Sequence, residues 1–168
     1  MSLIAPESEI VLQAMEALEK EFGKIDFVSE RVLFNFTDYY AHEMGENLFR
    51  HFISFSPLLL RDRLPDIKLV TNRLEEQFAT LEGHRRINID PGYLSHGQVI
   101  LATTKAYAHR PYLGKGIYAD LTLIFRNQSF HPLDWTYPDY RQATTIALFN
   151  QMRKEYLQMI REGKGDLC

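Results

Sequence analysis

Polar side chains suited to an active or binding site crowd between Asp90 and Asp120. They run as Asp90-Pro91-Gly92-Tyr93, Thr103-Thr104-Lys105, His109-Arg110-Pro111-Tyr112 and Gly114-Lys115-Gly116-Ile117-Tyr118-Ala119-Asp120. Lys105, His109, Arg110 and Lys115 would supply donors to an anion, and the planar fork of an arginine matches phosphate or carboxylate with two parallel bonds. Glycine on both sides of Lys115 would let the backbone approach a ligand closely. Asp90, Asp120 and His109 are the candidates for catalysis. A carboxylate or imidazole can move a proton, and the two aspartates could instead hold a hard divalent cation such as Mg²⁺. Lys105, Arg110, Tyr112, Lys115 and Tyr118 are the candidates for ligand binding. Together these residues suit a phosphorylated small molecule or a nucleotide. A hairpin with a solvated polar face and a Gly/Pro loop explains the same residues, and on sequence alone that plainer explanation is the stronger.

Two smaller clusters flank this stretch. Thr37-Asp38-Tyr39-Tyr40, with His42, Glu43, Met44 and Gly45, follows a hydrophobic run and so falls at a strand end, where functional loops project. Asp38 and Tyr39 join the ligand-binding candidates from there. The competing explanation is a cap by Thr37 or Asp38 with the tyrosines packed sideways. Trp135-Thr136-Tyr137-Pro138-Asp139-Tyr140 could stack a base or sugar, although such residues more often anchor a helix. Lys68, Thr71, Asn72 and Glu75 make one polar ridge at helical spacing, which a solvated face explains.

Several familiar signatures are missing. Gly114-Lys115-Gly116 lacks the hydroxyl residue of a nucleotide-binding P-loop and precedes a strand rather than a helix. The chain has no dinucleotide fingerprint, no His-Glu-x-x-His zinc helix and no Gly-x-Ser-x-Gly elbow. His51 and His109 lack the hydroxyl residue two positions on that paired His-x-Ser/Thr phosphoesterases require.

Hydrophobic periodicity places these residues on elements. Val11, Ala14, Leu18 and Phe22 recur at helical spacing before Gly23, and Ile67, Val70, Leu74, Phe78 and Leu81 do so between Pro65 and Gly83. Strands are expected over 27–36, 51–55, 87–89, 99–107 and 117–125. Asp90-Pro91-Gly92 reads as a type II turn. A long helix follows Pro138 to about Arg161. The order predicts an α+β fold: a mainly antiparallel sheet with helices on one face. If Leu3-Ile4 forms a first strand, the leading part has the ferredoxin-like βαββαβ order. The 99–125 hairpin would extend that sheet, pairing Lys105 with Asp120, Thr103 with Thr122 and Tyr107 with Tyr118.

Composition sets the class. A chain of 168 residues with 45% hydrophobic content suits one domain over its whole length and rules out a disordered tail protein. A formal net charge of −3 disfavours binding to long duplex nucleic acid, which needs a basic surface. The one cysteine, Cys168, excludes an internal disulfide framework, and with no signal or membrane-length apolar run the expected location is cytoplasmic.

Phe36-Thr37-Asp38-Tyr39-Tyr40 with Glu43-Met44-Gly45, Ile87-Asn88-Ile89-Asp90-Pro91-Gly92-Tyr93, and Thr136-Tyr137-Pro138-Asp139-Tyr140 resemble stretches of the prokaryotic domain-of-unknown-function family 4416. So do Thr104-Lys105, His109-Arg110, Tyr112-Leu113 and Gly116-Ile117-Tyr118-Ala119. The resemblance covers nearly the whole chain and implies no particular reaction. Some relatives carry a GTP-binding label, which this chain does not support with either a P-loop or an Asn-Lys-x-Asp motif. It departs from the family pattern at Pro111, usually β-branched, and at Asp120, usually Glu. Three functions remain open: an enzyme or binder for a phosphorylated small molecule or nucleotide, a non-enzymatic interaction module such as a homodimer, and a binder of short single-stranded RNA.

Overall fold

The computed structural model describes residues 1–37 and 39–163, with backbone alone at 41 and 42. In chain order the elements are β1 (Ser2–Ala5), α1 (Ser8–Phe22), β2 (Ile25–Val28), β3 (Val32–Phe34), a short α2 (Ala41–Met44), β4 (Leu48–Phe55) and a 3-10 turn at Arg61–Arg63. There follow α3 (Leu64–Gln77), β5 (Asn88–Asp90), β6 (Gly92–Leu94), β7 (Gln98–Thr103), β8 (Tyr112–Gly114), β9 (Ile117–Arg126), β10 (Ser129–Pro132) and α4 (Ala143–Arg161). The chain gathers into two compact units. The first comprises residues 1–57 and 66–91, the second residues 58–65 and the chain from 92 onward.

In the first unit the strands lie in the order β2-β4-β1-β5, all neighbours antiparallel, with β3 also on β4. That is the predicted βαββαβ arrangement, in which β4 separates β1 from β2. All four residues of β1 are buried because both of its faces are covered. Leu3 and Ala5 face Ile10, Ala14 and Leu18 of α1 and Leu74 of α3, together with Ile53, Ile87 and Ile89. Ile4 packs with Phe34, Met44 and Leu48 in a separate cluster. Each fully buried Leu or Ile contributes about 1.5–3 kcal/mol. The strand expected over 27–36 is broken at 29–31, where Ser29 bonds back to β4 through its amide (2.8 Å to the Phe52 carbonyl). Likewise α3 ends at Gln77, and Leu81, predicted as part of its apolar stripe, is fully exposed. The chain turns at Thr80, whose carbonyl accepts from Gly83, so the helical period stops one turn early.

The second unit has its own five-stranded sheet, β10-β9-β7-β6 with β8 on β9. The hairpin therefore does not extend the first sheet. Its register also differs from expectation. Leu101 lies opposite Asp120 and Thr103 opposite Tyr118, while β7 stops at Thr103, before Lys105 and Tyr107. The physical reason is β8. It takes the tight-hairpin position on β9, turning through Gly114, Lys115 and Gly116 with φ of 100°, 56° and 76°. Positive φ at consecutive turn residues matches the twist of the flanking strands. With β8 supplying the turn, β7 is free to pair farther along, and a bulge opposite Val99–Ile100 shifts it again. Ile100, Ala102, Ile117 and Ala119 form this unit's core with Leu64. The C-terminal helix starts at Ala143, not Pro138, because turns occupy 136–142. Phe149 anchors it, stacked on Tyr140 at 5.8 Å.

The expected type II turn at Asp90-Pro91-Gly92 is absent: Gly92 lacks a positive φ and instead opens β6. Glycine is required there for closeness. A Cβ on Gly92 would sit 2.3 Å from the Ile100 carbonyl oxygen, with backbone on both sides of the clash. Gly92→Ala is therefore expected to destabilise the second unit by about 1–3 kcal/mol, the usual cost of overpacking. A urea midpoint equal to wild type would contradict this.

Candidate functional site

Asp120 organises the site in the second unit. It points into the buried side of β9, is 1% exposed, and therefore needs a counter-charge. Arg110 provides it, donating from Nε to Oδ2 at 2.7 Å. The same guanidinium donates to the Lys105 carbonyl at 3.1 Å and to the Tyr137 hydroxyl at 2.8 Å. Its amide closes a turn onto the Tyr107 carbonyl at 3.0 Å. Thr122 donates to the backbone carbonyl of Asp120 at 3.1 Å and approaches Oδ1 at 3.4 Å. All three nitrogens of Arg110 are thus engaged within the protein, and the side chain works as a tie between loop and sheet.

That tie sets His109. Its ring stacks on Trp135 with centroids 4.7 Å apart and planes 16° from parallel, and Tyr107 lies tilted at 5.3 Å. His109 Nε2 is buried, faces Asp120 Oδ2 at 3.7 Å and makes no hydrogen bond. Trp135 is fixed by its indole N–H, which donates to the Leu121 carbonyl at 2.8 Å. Thr136 fixes the turn beneath it, donating to the Thr122 carbonyl at 2.6 Å and accepting from the Leu133 amide. Tyr107, Trp135 and Tyr137 nonetheless keep 68%, 40% and 42% of their surface in water.

The remaining predicted residues of this unit lie around the β8–β9 turn. Tyr112 and Tyr118 meet at 5.2 Å, and the Tyr112 hydroxyl accepts from the Gly116 amide at 3.2 Å. Lys105 and Lys115 are exposed. His109, Arg110 and Asp120 are thus in direct contact, Tyr112 and Tyr118 are paired, and Lys105 joins the first group through its backbone.

Asp90 and Tyr39 belong to the first unit; Asp38 lies outside the described residues. Asp90 Oδ1 is 3.3 Å from the Lys68 ammonium, and Oδ2 accepts from Asn88 Nδ2 at 2.7 Å. Lys68 also donates to the Ile89 carbonyl at 3.0 Å. Glu75 Oε1 accepts from the Ile89 amide at 2.6 Å. The ridge expected to be a solvated face is therefore largely buried: Lys68 is 6%, Thr71 0% and Glu75 7% exposed. Farther along, Arg85 pairs with Glu43 at 2.6 Å and reaches the Asn88 side chain at 3.5 Å. Burial, then the Asp90 carboxylate, holds the Tyr40 phenol above its usual range, against the opposing pull of Arg50 and Arg85. Thr37 caps the turn as the plainer explanation held, accepting from the Tyr39 amide at 3.1 Å, with Tyr39 and Tyr40 edge to face at 4.9 Å.

Sequence reasoning missed Lys68, Glu75, Arg85 and Asn88. One signal was present: Lys68, Thr71 and Glu75 share one helix face, and an acid and a base two turns apart can grip one strand together. Among the described residues no group of three or more His, Cys, Asp or Glu is placed to hold a metal ion. A cation at Asp120 would have to displace the Arg110 guanidinium. No described helix is long and apolar enough to cross a membrane.

Because Arg110 is buried with Asp120, removing one charge strands the other. Asp120→Asn should destabilise the second unit by about 3–5 kcal/mol. Substituting both residues together, Arg110→Met with Asp120→Leu, should cost much less than the sum of the single changes. Additive costs in denaturant unfolding would show that the pair is not coupled.

No curated protein and no solved structure matches this chain. One family model does, over residues 1–156, nearly the full length. With that coverage the chain belongs to the family described as a domain of unknown function, DUF4416.

Proposed function

We propose that the protein binds a phosphorylated small molecule or nucleotide on its second unit, at the aromatic tier of Tyr107, His109 and Trp135. The observation that carries this is the His109–Trp135 stack, 4.7 Å between centroids, fixed from below by a buried ion pair yet partly open to water. A rigid, partly exposed ring pair is a platform for a second planar group, and base-on-aromatic stacking contributes about 1–3 kcal/mol per base. Lys105 is exposed on the β7–β8 connection and Lys115 in the β8–β9 turn, and both would supply positive charge for phosphate. Arg110 acts as a positioning residue, since its nitrogens are committed to Asp120, Lys105 and Tyr137. His109 Nε2 is turned inward to Asp120, so the ring serves the proposed site by stacking.

The competing module reading, a homodimer joined at a sheet edge, is favoured by Val28, Val32 and Leu33, each about half exposed along β2–β3 of the first unit. One panel separates the two. Mono-, di- and triphosphate nucleosides, sugar phosphates and inorganic phosphate are screened by thermal shift, since a ligand that prefers the folded state raises its midpoint. The binding proposal expects a shift from at least one ring-bearing phosphate. Trp135→Ala and Lys105→Ala should each weaken it by roughly tenfold, the loss of one stack or one charged contact. No shift with any compound, together with a dimeric mass by light scattering, would favour the module instead.

A further inference from the structure

In an antiparallel sheet the outermost strand has a row of amide and carbonyl groups with no neighbouring strand, and buried ones must be met some other way. β5 is the last strand of the first sheet, and Ile89 at its centre is 0% exposed. Both backbone groups of Ile89 are taken by α3. Glu75 Oε1 accepts from its N–H at 2.6 Å and Lys68 Nζ donates to its C=O at 3.0 Å. Lys68 and Glu75 are seven residues apart, so two helical turns bring both to the same face. Together they stand in for a missing strand.

We propose that this Glu75–Ile89–Lys68 clasp is a pH-sensitive latch on the β5 edge, held most firmly in mild acid and loosening as the pH rises to neutral. It belongs to the first unit and the aromatic tier to the second, and it does not depend on what binds at the tier. Glu75 is 7% exposed, so its ionised form has been taken out of water. The charged and titratable groups around it are Lys68 on its own helix, Asp90 on β5, Arg85 before that strand and the Tyr40 phenol. Burial is the largest influence and pushes its carboxyl up from 4.5 to about 7; Asp90 adds to the rise, while Lys68, the Ile89 amide and Arg85 oppose it. The sign follows from linkage. The closed clasp keeps the proton that an opened, hydrated Glu75 has lost, so closure is most favoured below about pH 4.5, becomes less so up to about pH 7, then levels off. Opening also releases the carbonyl partner of Lys68, the cation that holds the Asp90 carboxylate at 3.3 Å.

The test is amide hydrogen exchange by NMR on the full chain between pH 5 and 8, corrected for the intrinsic pH dependence of exchange. Protection at Ile89 should fall by up to the order of a hundredfold as the pH rises to 7 and then plateau. Protection at Phe52 in β4 should stay constant. In Glu75→Gln, whose side-chain oxygen still accepts from Ile89 but cannot ionise, the fall should vanish. Carbon NMR of the Glu75 carboxyl in the unsubstituted protein gives the same answer if that variant does not fold: a titration midpoint well above 4.5 supports the latch. The proposal is overturned by constant protection at Ile89, by Phe52 falling in step with it, by an unchanged fall in Glu75→Gln, or by an ordinary carboxyl titration.

Discussion

A carboxylate withdrawn from water must bring its counter-charge with it, and Asp120 does so from ten residues away in the chain. The consequence spreads beyond one ion pair. Arg110 can reach Asp120 only if the connection after β7 folds back onto the sheet, and its other nitrogens then fix the Lys105 carbonyl and the Tyr137 hydroxyl. His109, next in the chain to Arg110, is carried onto the face of Trp135. A segment containing Pro111 and two glycines would otherwise have many conformations to choose from. Local sequence supplies the turn, but the buried charge selects among its arrangements. The aromatic tier is a by-product of that selection.

Each unit also faces a problem at the end of its sheet, and each solves it with the following or preceding helix. On β5 the buried Ile89 is held by Lys68 and Glu75 of α3. On β10 the Phe130 amide donates to Asn150 Oδ1 of α4 at 2.9 Å, and Asn150 Nδ2 donates in turn to the Ser129 hydroxyl. Both cover an edge that would otherwise template pairing with another chain. They differ in charge. An amide closes β10 the same way at every pH, whereas β5 is closed by a carboxyl whose burial favours the protonated form, against the preference of the Ile89 N–H for the ionised one. The second sheet's edge is therefore a fixed structural device, and the first sheet's edge carries a titratable one.

What the sequence made legible follows from where hydrophobic periodicity speaks. α1 shows its stripe of Ile10, Val11, Ala14 and Leu18 because only one side of it meets the sheet. β1 is all buried, and its short apolar run is enough to complete the βαββαβ order. The register of β7 on β9 was not legible, because two-fold alternation fixes which face a residue takes but leaves sliding by an even number undetermined. Placing Lys105 or Leu101 opposite Asp120 satisfies the same alternation; β8, too short to stand out as a strand, decides between them. The buried face of α3 misled for a different reason. Lys68 and Glu75 are charged, and charge at helical spacing normally marks water. Here it marks a neighbouring backbone with unmet hydrogen bonds, which no one-dimensional pattern records.

The electrostatics of the second unit also bear on the anionic ligand proposed for an acidic chain. The net charge of −3 is a sum over the whole molecule, and at physiological salt a charge beyond about 8–10 Å of an exposed site is largely screened. Asp120 lies close to the aromatic tier, and alone it would repel phosphate. Bound to Arg110 at 2.7 Å it becomes one end of a compact dipole, whose field falls away faster than that of a lone charge. Lys105 adds positive charge from the connection that Arg110 holds down, and Lys115 adds it from the β8–β9 turn. The interaction that shapes the tier is thus also the one that removes its principal electrostatic objection to an anion, and shape and charge at this surface cannot be altered independently.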